Sequence, residues 1–280
     1  MIIVRMQGGL GNQLFQYALY ENFKEIGREV KADMTAYQNG SEERRFELNK
    51  LGIKIVNADK KELHYYHADN SILLDRVLRY TFGRKKYIKE KSYDFCPEVL
   101  KFTDGYISGY WQSEKYFSKA AAKIRDKIIF QNVETNEIKV RIRQMERQNS
   151  VSVHVRMGDY LECSELYGGI CTREYYDRAF LYISKQIENP VFYVFSDEPQ
   201  KAAEMLKGYN YVLITENNGA DAYKDMYLMS RCRHHIIANS TFSWWGAWLG
   251  ENKDRIVITP SKWNNACKTN EICREGWIMV

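Results

Sequence analysis

The sequence predicts an α/β protein made of two βα domains, each a mostly parallel sheet with helices on both faces. Three observations carry this. The chain opens with a strand, a glycine loop, a helix and a second strand. From residue 151 onward, short apolar strands alternate with amphipathic helices, the pattern of crossover-connected parallel strands. The length of 280 residues with 45% hydrophobic content is enough for two domains with cores of their own. The expected domains are 1–135 and 150–280, joined near 133–150.

The first strand covers residues 2–6, where Arg5 interrupts the apolar run. That interruption favours a strand over a signal peptide. The loop Gly8-Gly9-Leu10-Gly11-Asn12-Gln13 follows, then a helix over 14–26 with Leu14, Tyr17, Ala18 and Glu21 at three- and four-residue spacing. Gly27 is its expected stop, and residues 29–34 form the second strand. Residues 40–148 are less regular. A helix is expected over 63–82, a strand over 106–110, and helices over 114–130 and 136–148. Arg76, Arg79, Arg84, Lys85, Lys86, Lys89 and Lys91 form a basic run. A solvated face is the expectation, and contact with anionic lipid at the inner membrane surface or with a phosphorylated acceptor is the alternative.

The second half is regular. Strands are expected over 151–156, 191–196, 211–215, 235–239 and 255–259. Between them lie helices over 172–187, 199–207, 221–232 and 241–249, with Thr172 as a cap and Pro199 at a helix start.

In open α/β sheets, ligands gather at the carboxyl ends of strands. His154-Val155-Arg156-Met157-Gly158-Asp159-Tyr160 leaves such an end. His154 and Arg156 share one face, and Arg156 can offer a planar fork to phosphate. A structural pair with Asp159 is its other use. Asn239-Ser240-Thr241-Phe242 joins a buried strand to a Trp-rich helix. Its hydroxyls and free N–H groups suit either an anion or plain capping. The Gly9-x-Gly11 loop lacks the third glycine of a dinucleotide fingerprint, since Leu14 stands there. Asn12 and Gln13 give it polar reach. Asp197 ends another strand, and Asp225 lies on a helix where a solvent-exposed carboxylate is the bland reading.

The formal charge of +5 suits a phosphate-bearing substrate and is too weak to argue for nucleic acid. Six cysteines form no C-x-x-C pair, so reduced thiols are expected, with a 267–273 disulfide as the alternative. No carboxylate or His spacing suggests a catalytic metal.

Three of these motifs, Gly8 to Ala18, His154 to Tyr160 and Asn239 to Trp245, together with Gly109-Tyr110-Trp111-Gln112-Ser113-Glu114-Lys115-Tyr116-Phe117, resemble the α-1,2-fucosyltransferases of glycosyltransferase family 11. The resemblance runs in family order along nearly the whole chain. It implies a GT-B-like fold of two Rossmann-type domains facing a central cleft, with an N-terminal acceptor-side domain and a C-terminal GDP-fucose-binding domain. It implies inverting transfer of L-fucose from GDP-β-L-fucose to the 2-hydroxyl of a galactose unit, without metal or other cofactor. Carried over residue by residue, Arg156 holds the β-phosphate, His154 contacts the nucleoside, Ser240, Thr241 and Phe242 bind the diphosphate beside Asn239, and Asp225 pairs with guanine. Gly11 and Asn12 turn toward the donor. Asp159 is the first candidate base, with Glu162 and Glu165 as alternatives. Met157 stands where many members carry a second Arg. With no anchor ahead of the first strand, a bacterial cytoplasmic enzyme is expected, acting on GDP-fucose and a galactose-containing glycan and not on nucleic acid. The rival readings are an NAD-dependent oxidoreductase built on the glycine loop and a nucleic-acid-binding module built on the basic run.

Overall fold

The computed structural model describes residues 1–38, 44–66, 77, 87–158, 164–217, 219–250, 252–266 and 271–280. The chain divides into two compact units, Met1–Ile129 and Phe130–Val280.

Unit 1 is built on a four-stranded parallel sheet. Its strands are β1 (Ile2–Arg5), β2 (Val30–Asp33), β3 (Tyr87–Lys89) and β4 (Gly105–Ser108), in the order β2-β1-β4-β3. Helix α1 (Leu10–Glu25) follows β1 and is buried along most of its length. It begins four residues before the expected start, with Gly9 at the N-cap, so Gly11, Asn12 and Gln13 lie in its first turn. The weak helix propensity of that segment is overridden by burial. The helix closes as expected near Gly27, which has φ of +78°. Gly27 N–H donates to Lys24 O and Arg28 N–H to Phe23 O, the Schellman arrangement that a left-handed glycine permits.

Helix α2 (Lys60–Tyr65) carries a capping box between Asp59 and Glu62. Tyr66 is its C-cap; residues 67–82 of the helix expected over 63–82, and Arg76, Arg79, Arg84, Lys85 and Lys86 of the basic run, lie outside the described residues apart from Val77. The helix expected over 114–130 is instead two 3-10 turns followed by α3 (Ala121–Lys127). Phe117, with φ of −137°, breaks the helical path because its ring is fully buried and packs edge-on to Phe15.

Unit 2 carries a six-stranded parallel sheet: β5 (Asn149–Val155), β6 (Pro190–Ser196), β7 (Val212–Leu213), β8 (His234–Ile236), β9 (Val257–Thr259) and β10 (Ile278–Met279), in the order β10-β9-β8-β5-β6-β7. The sheet runs outward in both directions from a switch point between β5 and β8, as in a doubly wound Rossmann-type sheet. Its helices are α4 (Asn136–Glu146), α5 (Arg173–Gln186), α6 (Pro199–Met205), α7 (Tyr223–Arg231) and α8 (Thr241–Leu249). The segment expected to join the domains contains α4, which packs against α7 and β5 and so belongs to unit 2.

The core on one side of this sheet is formed by Val151, Val153 and Val155 of β5 with Tyr175, Tyr176, Phe180 and Ile183 of α5. Helix α8 is apolar nearly all round, with Trp244, Trp245 and Trp248 fully buried, which fits a helix with no solvent face. Trp244 Nε1 donates to Ile272 O at 2.8 Å. Truncating one such Trp to Ala costs about 3–5 kcal/mol, so α8 is a fixed platform for whatever its first turn presents.

Candidate functional site

The carboxyl ends of β5, β6 and β8 bring most of the expected donor residues together. His154 lies in β5 opposite Phe195 of β6 and is 4% exposed. Its carbonyl accepts from Tyr176 Oη at 2.8 Å, and its ring centroid lies 5.9 Å from that of Phe242 on α8. Burial, and secondarily the charge of Arg156, hold its imidazole well below the usual range. It is therefore neutral at physiological pH. Among the described residues its Nδ1 is buried with no hydrogen-bond partner, a group that a ligand donor or acceptor would satisfy.

Just past β5, Arg156 pairs with Asp197 at the end of β6, Nη1 to Oδ2 at 3.2 Å. Asp197 also accepts from the backbone N–H groups of Met157 (3.0 Å) and Gly158 (2.9 Å). The carboxylate thus latches the turn after β5 and orients the guanidinium. A Cβ at Gly158 would lie 2.6 Å from Asp197 Oδ2, so any larger residue there would push the carboxylate off its latch. In the sequence Asp197 shows only as the end of another strand. The latch joins residues 39 and 40 positions apart, and no local pattern announces it. Asp159 and Glu162, two of the three candidate bases, lie outside the described residues. Glu165 is exposed on a short turn, Ser164–Tyr167.

Ser240 is the N-cap of α8 by position, yet its side chain makes no capping hydrogen bond, contrary to the expected cap. Its carbonyl accepts from Trp244 N–H and from Ser243 Oγ. The first-turn amides of α8 have no partner within the helix, and its dipole is positive at this end. Thr241 and Phe242 are half-buried beside it. Asn239 precedes this turn, and its side chain is held from both ends. Nδ2 donates to Trp263 O at 3.1 Å and Oδ1 accepts from Cys171 Sγ at 3.3 Å. Its amide thereby ties the turn to the segments carrying Trp263 and Cys171.

Asp225 lies in the first turn of α7, hence at the carboxyl edge of the sheet, where a crossover helix starts. It is 8% exposed, so the exposed-carboxylate reading does not hold. Burial, with Glu216 adding like charge, pushes its carboxyl up to about 7 against the opposing hydrogen bond from Asn217. Asn217 Nδ2 donates to Asp225 Oδ1 at 2.7 Å.

In unit 1 the glycine loop is knitted inward. Gly8 has φ of +77°, and a Cβ there would lie 2.8 Å from Asn12 Nδ2. Gly8 O accepts from Gln13 Nε2 and Tyr37 Oη. Gln13 also serves Arg45 O and Glu47 N–H, so its side chain is structural and not polar reach. Gln16 bridges Gln7 and Gly109 O. Asn12 Oδ1 accepts from Gln112 Nε2 at 2.8 Å, so the loop after β1 and the segment after β4 form one hydrogen-bonded edge. Gly11 is buried within that edge.

Among the described residues, no three His, Cys, Asp or Glu side chains are grouped as a metal site requires, and no helix is long and apolar enough to cross a membrane. Cys96, Cys171, Cys232 and Cys273 are free; Cys163 and Cys267 lie outside the described residues.

Comparison with known proteins adds the following. The family model "Glycosyl transferase family 11" matches residues 1–280. The Escherichia coli protein "Alpha-1,2-colitosyltransferase" is 33% identical over 293 aligned positions, covering 100% of this chain and 99% of that protein. The Escherichia coli "O-antigen biosynthesis glycosyltransferase WbnK" is 32% identical, covering 98% of each. Among solved structures, a mutant of Arabidopsis thaliana FUT1 in complex with GDP superposes with a TM-score of 0.52 at 12% identity, covering 94% of this chain and 71% of that one. At that identity the likeness shows the fold: two parallel-sheet α/β units of the GT-B class.

Proposed function

Because the chain belongs to glycosyltransferase family 11, we propose that it transfers L-fucose from GDP-β-L-fucose to the 2-hydroxyl of a galactose unit in a surface glycan or oligosaccharide, inverting the anomeric centre and using no metal. Unit 2 takes the donor and unit 1 the acceptor. The observation that carries this reading is the cluster at the β5–β8 switch point. There a latched Arg156, an imidazole with an orphaned Nδ1 and an α8 N-terminus with an uncommitted Ser240 share one strand edge.

Each group has a task in this reaction. As GDP departs, charge builds on the β-phosphate oxygen. Arg156 offers two parallel N–H groups to it, and Ser240, Thr241 and the first amides of α8 offer more. Preorganised donors of this kind are commonly worth ~3–4 kcal/mol each in the transition state. They take over the neutralising role that a divalent ion plays in other nucleotide-sugar enzymes. Asp197 keeps Arg156 in place and holds the backbone of Met157 and Gly158 still. Neutral His154 meets the nucleoside beside Phe242, and Asp225 accepts from guanine N1–H and the 2-amino group. The acceptor oxygen attacks the oxocarbenium-like carbon from the face opposite GDP, and Asp159 remains the first candidate to take its proton, with Glu162 and Glu165 behind it.

A second donor is favoured by one observation, the full-length similarity to an α-1,2-colitosyltransferase. Colitose is fucose without its 3-hydroxyl, and the same diphosphate and guanine contacts serve both. A mass-spectrometric transfer assay with a galactoside and either GDP-L-fucose or GDP-L-colitose separates them. Fucosyl product at the higher kcat/KM supports the reading, and transfer of colitose alone overturns the donor assignment.

A further inference from the structure

Unit 1 contains a cavity of about 450 Å³ at the carboxyl end of its sheet, and strand geometry explains its character. Alternate residues share a face, so Ile3 and Arg5 of β1, Tyr106 and Ser108 of β4, and Tyr87 and Lys89 of β3 point the same way. The register sets Ile3 and Tyr87 beside Tyr106, and Lys89 beside Ser108. At the amino end this face is apolar and covered, with Ile3 and Tyr106 packed against Leu63 and Tyr66. At the carboxyl end it turns polar and opens into the cavity, where open α/β sheets collect ligands.

The charges in the wall are unbalanced. Arg5, Lys89 and Lys91 all line the cavity. Among the described residues none of them makes an ion pair, and Arg5 Nε is buried with no hydrogen-bond partner. The wall's carboxylate, Glu90, is already engaged, accepting from Tyr110 N–H at 2.7 Å and Trp111 N–H at 3.0 Å. That grip holds Trp111 at φ of +56°, an unusual conformation for a non-glycine residue. Asp33, opposite Arg5 on β2, is engaged too, by Tyr106 Oη and Thr35 N–H. A buried guanidinium N–H without an acceptor is costly, and an oxyanion supplies that acceptor with full charge. Tyr93 and Tyr110 also line the cavity, and aromatic rings suit the apolar face of a sugar. The volume falls in the range of small-ligand sites, about 300–1,000 Å³.

We propose that this cavity binds an anionic glycan, with Arg5, Lys89 and Lys91 holding a carboxylate or phosphate carried by the sugar next to the one that is modified. The inference deepens the function proposed above and rests on it only in taking the bound glycan to be the acceptor.

Isothermal titration with three galactosides tests it: lactose, which is neutral; lactobionate, which adds a carboxylate; and lactose 1-phosphate. The proposal expects at least one charged galactoside to bind ~10-fold or more tighter than lactose at low salt, the size of one charge-assisted contact. Added salt should erode the difference. Which charged probe binds tighter identifies the source of the anion. Lys89 and Lys91 are exposed, so Lys89→Ala/Lys91→Ala should fold normally, lose the preference for charge, and keep its GDP affinity. Charged probes that bind no tighter than lactose, or fail to bind, overturn the proposal, as does a preference that survives in the double variant. If the charge preference is present while no sugar transfer occurs to any of the three, the galactoside-acceptor reading falls and this site stands.

Discussion

Replacing Asp225 by Asn isolates a buried carboxylate of the donor edge, and its effect follows from the structure. In the folded protein the carboxyl keeps its proton up to about 7, against an ordinary value of 3.8. Between those values the folded state is protonated and the unfolded state is not. Stability must therefore fall as pH rises through that window, by about 1.4 kcal/mol per unit. The total approaches roughly 4 kcal/mol above pH 7, and the slope flattens there because both states are then ionised. The amide introduced by Asp225→Asn does not titrate and still accepts from Asn217, so the variant lacks this slope. Urea unfolding of both proteins from pH 5 to 9 measures it, the expected result being a difference that shrinks or reverses against wild type as pH rises to 7. GDP changes the picture. Guanine donors favour the ionised carboxylate, so wild-type GDP affinity should rise about tenfold per unit up to about pH 7, whereas ADP affinity should not. A stability difference that is flat with pH would refute the buried protonated state. An unchanged GDP/ADP affinity ratio in Asp225→Asn would show that guanine is read elsewhere.

Other consequences can be checked on the same enzyme. Arg156→Ala should lower kcat/KM at least ~100-fold with the circular dichroism spectrum unchanged, and Arg156→Lys should recover little of it, because a point charge does not reproduce a planar fork; near-normal turnover would exclude the diphosphate role. Asp197→Asn leaves one latch N–H without its acceptor and removes the ion pair, so kcat/KM should fall ~10-fold alone, and adding it to Arg156→Ala should cost little more, since the two act as one unit; additive losses in the double variant would separate them. Transfer should be unchanged in EDTA, as expected when Arg156 and a helix N-terminus neutralise the diphosphate; an enzyme inactive until Mn²⁺ or Mg²⁺ is added back would contradict this.

The second half of the chain was legible because its signals are local. A long β5, a long α5 and an all-apolar α8 each span enough residues to show their period, and the motifs after β5 and β8 fall at strand ends by simple counting. The strand order then brought His154 and Phe242 together without any contact having been foreseen. What stayed hidden is non-local or too short. Strands β3 and β10 have three and two residues, which is too few to display alternation. The early start of α1 at Leu10 depends on burial rather than on propensity. Gln13 and Asn239 look like ligand-facing groups in sequence, because nothing nearby reveals that Arg45 O, Trp263 O and Cys171 wait for them across the fold. Asp197 became a latch, and Lys89 and Lys91 became a cavity wall, for the same reason: the partners come from different strands.

The central claim is transfer of fucose, with inversion, to a galactose 2-hydroxyl, and the most direct test is the structure of the product. Purified enzyme, GDP-β-L-fucose and a galactoside should yield GDP and one new saccharide. Its proton and carbon NMR spectra should show the small anomeric coupling of α-L-fucose and a long-range correlation from the fucose anomeric proton to galactose C2. A β-linked fucose, a linkage to another carbon, or hydrolysis of GDP-fucose with no saccharide product would contradict the account.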